Sequence, residues 1–165
     1  GVDSKISIVE GYESAELPLA EDPVENNNAF AEQVKEQLGK ESYTSITVAG
    51  SRIIIGMPSV ESIEKIEVLR QTFEEQEELS PVDYLLCRYS CQQLEEAKAA
   101  VDKELADIAK QDGGAYSVRV NGGYLELYCP YDRSETLESW LANSSYQPML
   151  VVLEGRKPLL EGAGL

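Results

Sequence analysis

Three cysteines, Cys87, Cys91 and Cys129, are the only thiols in the chain, and histidine is absent from all 165 residues. A zinc site would need a third and fourth ligand beside Cys87 and Cys91, and with no histidine only Cys129 and carboxylates remain. Cys87 and Cys91 also straddle an expected strand-to-helix junction at Arg88-Tyr89-Ser90, so they need not share a helical face. No metal and no cofactor is expected. A thiol at Cys91, near a helix N-terminus, would ionise more easily, yet no imidazole exists to serve as its base. The cysteines are read as structural thiols, or as one disulfide with a thiol to spare.

Carboxylates are the other chemistry in reach. Glu95-Glu96 and the run Glu74 to Glu78 are pairs of the kind a hydrolase holds across a cleft with separated pKa values. On a helix surface the same residues are solvated charge, and Glu74 to Glu78 lacks the ligand spacing and central glycine of a calcium loop. Gly113, Gly114, Gly122 and Gly123 fall in no phosphate-cradling pattern and read as turn residues. Asn143-Ser144-Ser145 matches a glycosylation acceptor, a short pattern that chance produces often. These residues together argue against an enzyme, and no catalytic residue is assigned.

What remains is a surface. Tyr116, Arg119, Tyr124, Glu126 and Tyr128 lie along one stretch, with Tyr131 just beyond. Aromatic rings with a polar tip bury area while tolerating water, which suits them to interfaces. The six residues are the candidate interaction surface; the competing reading is that this face packs on the other half of the chain.

The elements that must position them follow from periodicity. Residues 1–25 read as an N-terminal arm or edge strand, from the alternation Lys5-Ile6-Ser7-Ile8-Val9 and the prolines Pro18 and Pro23. Asn26-Asn27-Asn28 supplies an expected helix N-cap, Phe30, Val34 and Leu38 recur every four residues, and Gly39 ends the helix. Ser45 to Ile55 switches to period two and predicts a hairpin. After Met57-Pro58, Val60, Ile63, Ile66, Leu69 and Phe73 predict a second helix, and Val82 to Leu86 a third strand.

The order then recurs. Ser90 and Gln93 form an expected capping box, and Leu94, Ala97, Val101, Leu105 and Ile108 mark the inner stripe of a helix. Val118 and Val120, the turn Asn121-Gly122-Gly123, and Leu125 and Leu127 predict another hairpin. Asp132 and Glu135 stand in capping-box relation before Leu137, Trp140 and Leu141, and Pro148 precedes the apolar strand Met149 to Leu153. From Gly155 the tail is expected to fray.

Six pairs are separated by 72 positions: Ile46 and Val118, Val48 and Val120, Gly50 and Gly122, Ile53 and Leu125, Ile55 and Leu127, Pro58 and Pro130. The expected class is therefore α+β, a tandem repeat of an α-β-β-α-β unit, each a three-stranded sheet with two helices on one face and the other face amphipathic. The repeats take residues 26–88 and 89–158, and 159–165 form a tail. A unit of this size is marginal alone, so burial between the copies is expected to help.

The hairpins Ile46 to Ile55 and Val118 to Leu127, each followed by a helix and a strand, resemble bacterial extracytoplasmic α-β-β-α-β domains: BON domains and the pro-regions of secreted proteases similar to α-lytic protease. The resemblance covers Asn28 to Leu153 as pattern and brings no catalytic residue. It implies a secreted or envelope-associated bacterial module that binds another protein or an envelope component. The polar start at Gly1 agrees with a removed targeting segment.

Charge narrows the partner further. Thirty acidic against fourteen basic residues give −16, which repels phosphate backbones, so nucleic acid is not expected. No apolar run approaches the roughly 20 residues of a membrane span. The function read from the sequence is a non-enzymatic, extracytoplasmic protein-binding or assembly module. Its rivals are an inhibitory or chaperone-like pro-segment of a secreted protease, and a carboxylate-based hydrolase.

Overall fold

The computed structural model describes residues 24–155 and the strand Ile8–Glu10. The rest of the expected N-terminal arm and the tail beyond Gly155 lie outside the described residues. The described chain is α+β and divides into two compact units, one running to Leu94 with Asn121–Gly123, the other formed by Glu95–Val120 and Tyr124 onward.

In the first unit, β1 (Ile8–Glu10), α1 (Glu25–Leu38), β2 (Ser45–Ala49), β3 (Arg52–Met57), α2 (Ile63–Gln76) and β4 (Val82–Leu86) build a mixed sheet of order β1-β4-β3-β2. The hairpin β2–β3 turns on Gly50, whose φ of 59° is cheap only without a Cβ. Its register places Ile46 opposite Ile55 and Val48 opposite Ile53, the face predicted by the alternation. β3 and β4 run parallel, which a tight turn cannot achieve, and α2 supplies the crossover.

Phe30 and Val34 of α1, Ile53, Ile55 and Met57 of β3, Ile66 of α2, and Val82 and Tyr84 of β4 form one buried cluster. Phe30 and Phe73 meet edge to face, with centroids 5.6 Å apart, locking the two helices over the sheet. Burial does not stop at that face. Ile54, Leu85 and Cys87 form a second buried cluster on the alternate positions, so β3 is buried on both sides where one amphipathic face was expected.

Two helix starts differ from expectation. α1 begins at Glu25, with Val24 as the flanking residue and no side-chain cap, so Asn26-Asn27-Asn28 is not an N-cap. Asn27 is instead fully buried: its amide nitrogen donates to Gly50 O and Ser80 Oγ, both at 2.9 Å, and its oxygen accepts from Ser80 N–H at 3.1 Å. One side chain thereby ties α1 to the hairpin turn and to the segment entering β4. Asn27→Ala leaves these groups without partners inside the protein and is expected to cost about 1–3 kcal/mol, read from the urea midpoint. Val60, expected on the inner stripe of the second helix, lies exposed in a 3-10 turn (Val60–Ser62) ahead of α2.

The second unit contains most of α3 (Cys91–Asp112), then β5 (Ser117–Asn121), β6 (Tyr124–Cys129), α4 (Glu135–Asn143) and β7 (Leu150–Glu154), with sheet order β5-β6-β7. α3 opens on the predicted capping box: Ser90 N–H donates to Gln93 Oε1 at 2.9 Å, and Gln93 N–H to Ser90 Oγ at 3.1 Å. Gly122, with φ 61°, turns the hairpin, and β7 runs parallel to β6 after the α4 crossover. Ala97, Val101, Leu105 and Ile108 of α3, Val118, Leu125 and Leu127 of the strands, and Leu137 and Leu141 of α4 are buried. Trp140 Nε1 donates to Glu104 Oε1 at 2.7 Å, joining α4 to α3.

α4 is capped by Ser134, whose Oγ accepts from Leu137 N–H at 3.0 Å, and not by the expected pair of Asp132 and Glu135. Met149 ends a 3-10 turn (Gln147–Met149), so the last strand starts one residue later than predicted.

Candidate interaction surface on the second hairpin

Period-two geometry sends Leu125, Leu127 and Cys129 to the inner face of β6 and Tyr124, Glu126 and Tyr128 to the outer one. On that outer face Arg119 Nε donates to Glu126 Oε1 at 2.9 Å, and Tyr128 OH donates to the same oxygen at 3.2 Å. The Arg119 guanidinium also stands 5.6 Å from the centre of the Tyr128 ring. Glu126 is only 3% exposed, whereas half of the Arg119 side chain and 37% of Tyr128 meet solvent. A buried carboxylate thus fixes an exposed cation and an exposed ring in one orientation.

The other three candidate residues sit differently. Tyr124 lies half-buried on the same strand face, and Tyr131 is 44% exposed just past the end of β6. Tyr116 precedes β5, and its hydroxyl donates to Asp112 at the end of α3. Ser134 Oγ donates to the same Asp112 oxygen at 2.5 Å, and Gly114 N–H to the other at 2.7 Å. Those bonds, from Ser134 first and then Tyr116, hold the Asp112 carboxyl below its ordinary pKa; burial and the bond to Asp112 push the Tyr116 phenol up. Tyr116 is therefore a brace between helix ends, though with Tyr128 and Pro130 it lines a shallow depression of about 300 Å³.

None of the three cysteines is in a disulfide; Cys87 and Cys129 are buried and Cys91 half-buried. Burial raises the Cys129 pKa and keeps that sulfur protonated, the state of a structural thiol. Among the described residues, no three of Cys, Asp or Glu are grouped to hold a metal ion, and no helix is long and apolar enough to cross a membrane. A groove of about 640 Å³ on the first unit is lined by Glu61, Glu64, Lys65, Val68 and Thr72, with Lys65 Nζ bonded to Gln37 O at 3.0 Å.

One polar cluster escaped the sequence reading. Arg70 is 2% exposed, and its guanidinium donates to Glu67 Oε1 (3.0 Å from Nε, 2.7 Å from Nη2) and to Glu74, while Tyr84 OH donates to Glu67 Oε2. Burial alone would raise the Glu67 pKa, but hydrogen bonds from Arg70 and Tyr84 outweigh it and hold the carboxyl below its ordinary 4.5. Burial, and then the bond to Glu67, keep the Tyr84 phenol protonated far above its ordinary 10.0. The signal was present as Glu67, Arg70 and Glu74 at helical spacings of three and four, with Arg70 in the stripe of Ile66 and Phe73.

These shifts predict a pH dependence. The folded pKa of Glu67 is depressed, so its contribution is present above 4.5 and is lost as pH falls through the lowered value. That of Tyr84 is raised, so its contribution is complete below 10.0 and is lost as pH climbs from there toward the folded value. Wild type is expected to lose stability relative to Tyr84→Phe above about pH 10, in thermal melts followed from about pH 7 to pH 11. Parallel curves would contradict the burial of this hydroxyl.

Compared with known proteins, the chain matches no family profile, no curated sequence and no solved structure. What defines its class is the α+β arrangement itself: two compact units, each a mixed sheet whose last strand returns parallel to the hairpin.

Proposed function

We propose that this chain is a non-catalytic, extracytoplasmic protein-binding or assembly module, and that its contact surface is the outer face of the β5–β6 hairpin. The carrying observation is the Arg119–Glu126–Tyr128 arrangement. Arginine and tyrosine dominate binding energy at interfaces, and side chains already held in place lose less freedom on docking. Exposed aromatic area gathers here as well: of five large apolar or aromatic side chains exposed among the described residues, Tyr128 lies on this face and Tyr131 just past the end of the strand. The partner is a protein or another envelope component, since a chain of −16 repels nucleic acid.

The two units are read as a tandem duplication. Support comes from the six apolar, glycine and proline pairs at one spacing, from the left-handed Gly50 and Gly122 at equivalent turn positions, and from the parallel return of β4 and β7.

The test is Arg119→Ser with Tyr128→Ser. Partner capture from an envelope fraction of the source cells is expected to weaken about 30-fold, the loss of roughly 2 kcal/mol typical of a hot spot. The melting temperature is expected to fall, because the change takes two hydrogen bonds from the buried Glu126 carboxylate, so capture is read at a temperature at which melts show the variant folded. Undiminished capture by a folded double variant would remove this surface from consideration.

A further inference from the structure

Each sheet ends on a strand that runs parallel to the second strand of its hairpin, β4 beside β3 and β7 beside β6. Their outer edges differ. β4 carries β1 in parallel, with Ile8 opposite Tyr84 and Glu10 opposite Leu86, whereas among the described residues β7 pairs with β6 alone.

The direction of the amides follows from two bonds. Cys87 N–H donates to Met57 O and Gly155 N–H to Cys129 O, both at 2.8 Å, so these N–H groups face inward. Period two then turns the amides of Tyr84 and Leu86 outward, toward β1, and those of Val152 and Glu154 outward from β7. Leu150 N–H is already bonded to Gln147 O. The first four residues of the strand, Leu150-Val151-Val152-Leu153, have no charge, proline or glycine, the devices that normally guard an edge, and the charge of the last, Glu154, is paired with Arg133.

We infer that the β7 edge accepts an extended segment of a second protein as a parallel fourth strand, a segment apolar at its centre and cationic at its flanks. β1 shows within this chain what seats on such an edge: Ile8 and Val9, in parallel register on β4. The charge of −16 disfavours a second copy and steers a cationic partner instead. Val151 lies opposite Glu126 and Leu153 opposite Tyr128, so an added strand continues the outer face of the hairpin. The inference rests on the backbone of β7, and it can fail while the side-chain surface stands.

The probe is the synthetic peptide Lys-Lys-Ile-Ser-Ile-Val-Lys-Lys, titrated into the full nitrogen-15-labelled chain at low salt. Amide exchange at Val152 and Glu154 is expected to be fast in the free chain and to slow about tenfold or more at saturation, with Val151 and Leu153 already protected. Added salt weakens the effect. Val152→Pro removes one outward donor without touching the β6 ladder, and should abolish binding. If that variant does not fold, exchange in the wild-type chain decides alone.

Protection confined to the β2 or β5 edge, or none, would overturn the inference. So would outward β7 amides that are already slow in the free chain, or that slow with protein concentration alone, the mark of a second copy. Protection at Val152 that persists in Tyr128→Ser keeps the edge while counting against the hairpin side chains.

Discussion

Arg70→Ala lowers the stability of the first unit by about 3–5 kcal/mol, the usual cost of breaking a buried ion pair from one side. The Arg70 side chain is buried, and its removal leaves Glu67 with the Tyr84 hydroxyl as its remaining bond among those described above. Glu74 contributes less, because a third of its side chain meets solvent and screens the pair. Arg70→Met keeps the apolar stem and should lose less. The triple change Arg70→Met, Glu67→Leu, Tyr84→Phe removes the buried members of the cluster together, leaving only the partly exposed Glu74 of those described above, and should recover most of the loss, since an apolar replacement of a buried pair is often neutral. Urea unfolding followed by circular dichroism measures all three. A loss under about 1 kcal/mol for Arg70→Ala would mean that the cluster is solvated, like an ordinary surface pair.

Leu127→Ala should cost about 2–5 kcal/mol, the range for emptying a fully buried leucine site. Leu127 is 0% exposed on the central strand of the second sheet, with Val152 as its β7 neighbour. Strand backbone limits how far its neighbours can close the void. Leu127→Met nearly conserves volume and should cost less than about 1.5 kcal/mol. Equal effects of the two substitutions would place Leu127 outside the core.

How much of this could be read in advance depended on the type of interaction. Apolar periodicity carried the order of helices and strands, because Ile53 and Ile55, or Leu125 and Leu127, must face one way for any sheet to bury them. Ser90 and Gln93 were legible because a capping box is local, closed within four residues. Asn27 was not, since its partners Gly50 and Ser80 lie 23 and 53 positions away and only the fold brings them near. Tyr116 differs: Asp112 is only four positions away, and this local bond draws to a helix end a ring that its place before the hairpin grouped with the hairpin aromatics.

The candidate surface was legible in part for the same reason. Arg119 and Glu126 are close in sequence and flank a short turn, so pairing across a hairpin was foreseeable. The depth of Glu126 was not, because alternation marks the outer face without saying how far large neighbours cover it.

Photo-crosslinking addresses the binding role most directly. Tyr131→p-benzoylphenylalanine puts a reactive group beside the hairpin while leaving Arg119, Glu126 and Tyr128 in place; Val68, 62% exposed on α2, is the matched control. Irradiation in the source cells should yield a discrete adduct from position 131, absent from position 68 and lost with Arg119→Ser. An adduct from position 68 alone, or one from 131 indifferent to Arg119, would contradict a contact surface on this hairpin.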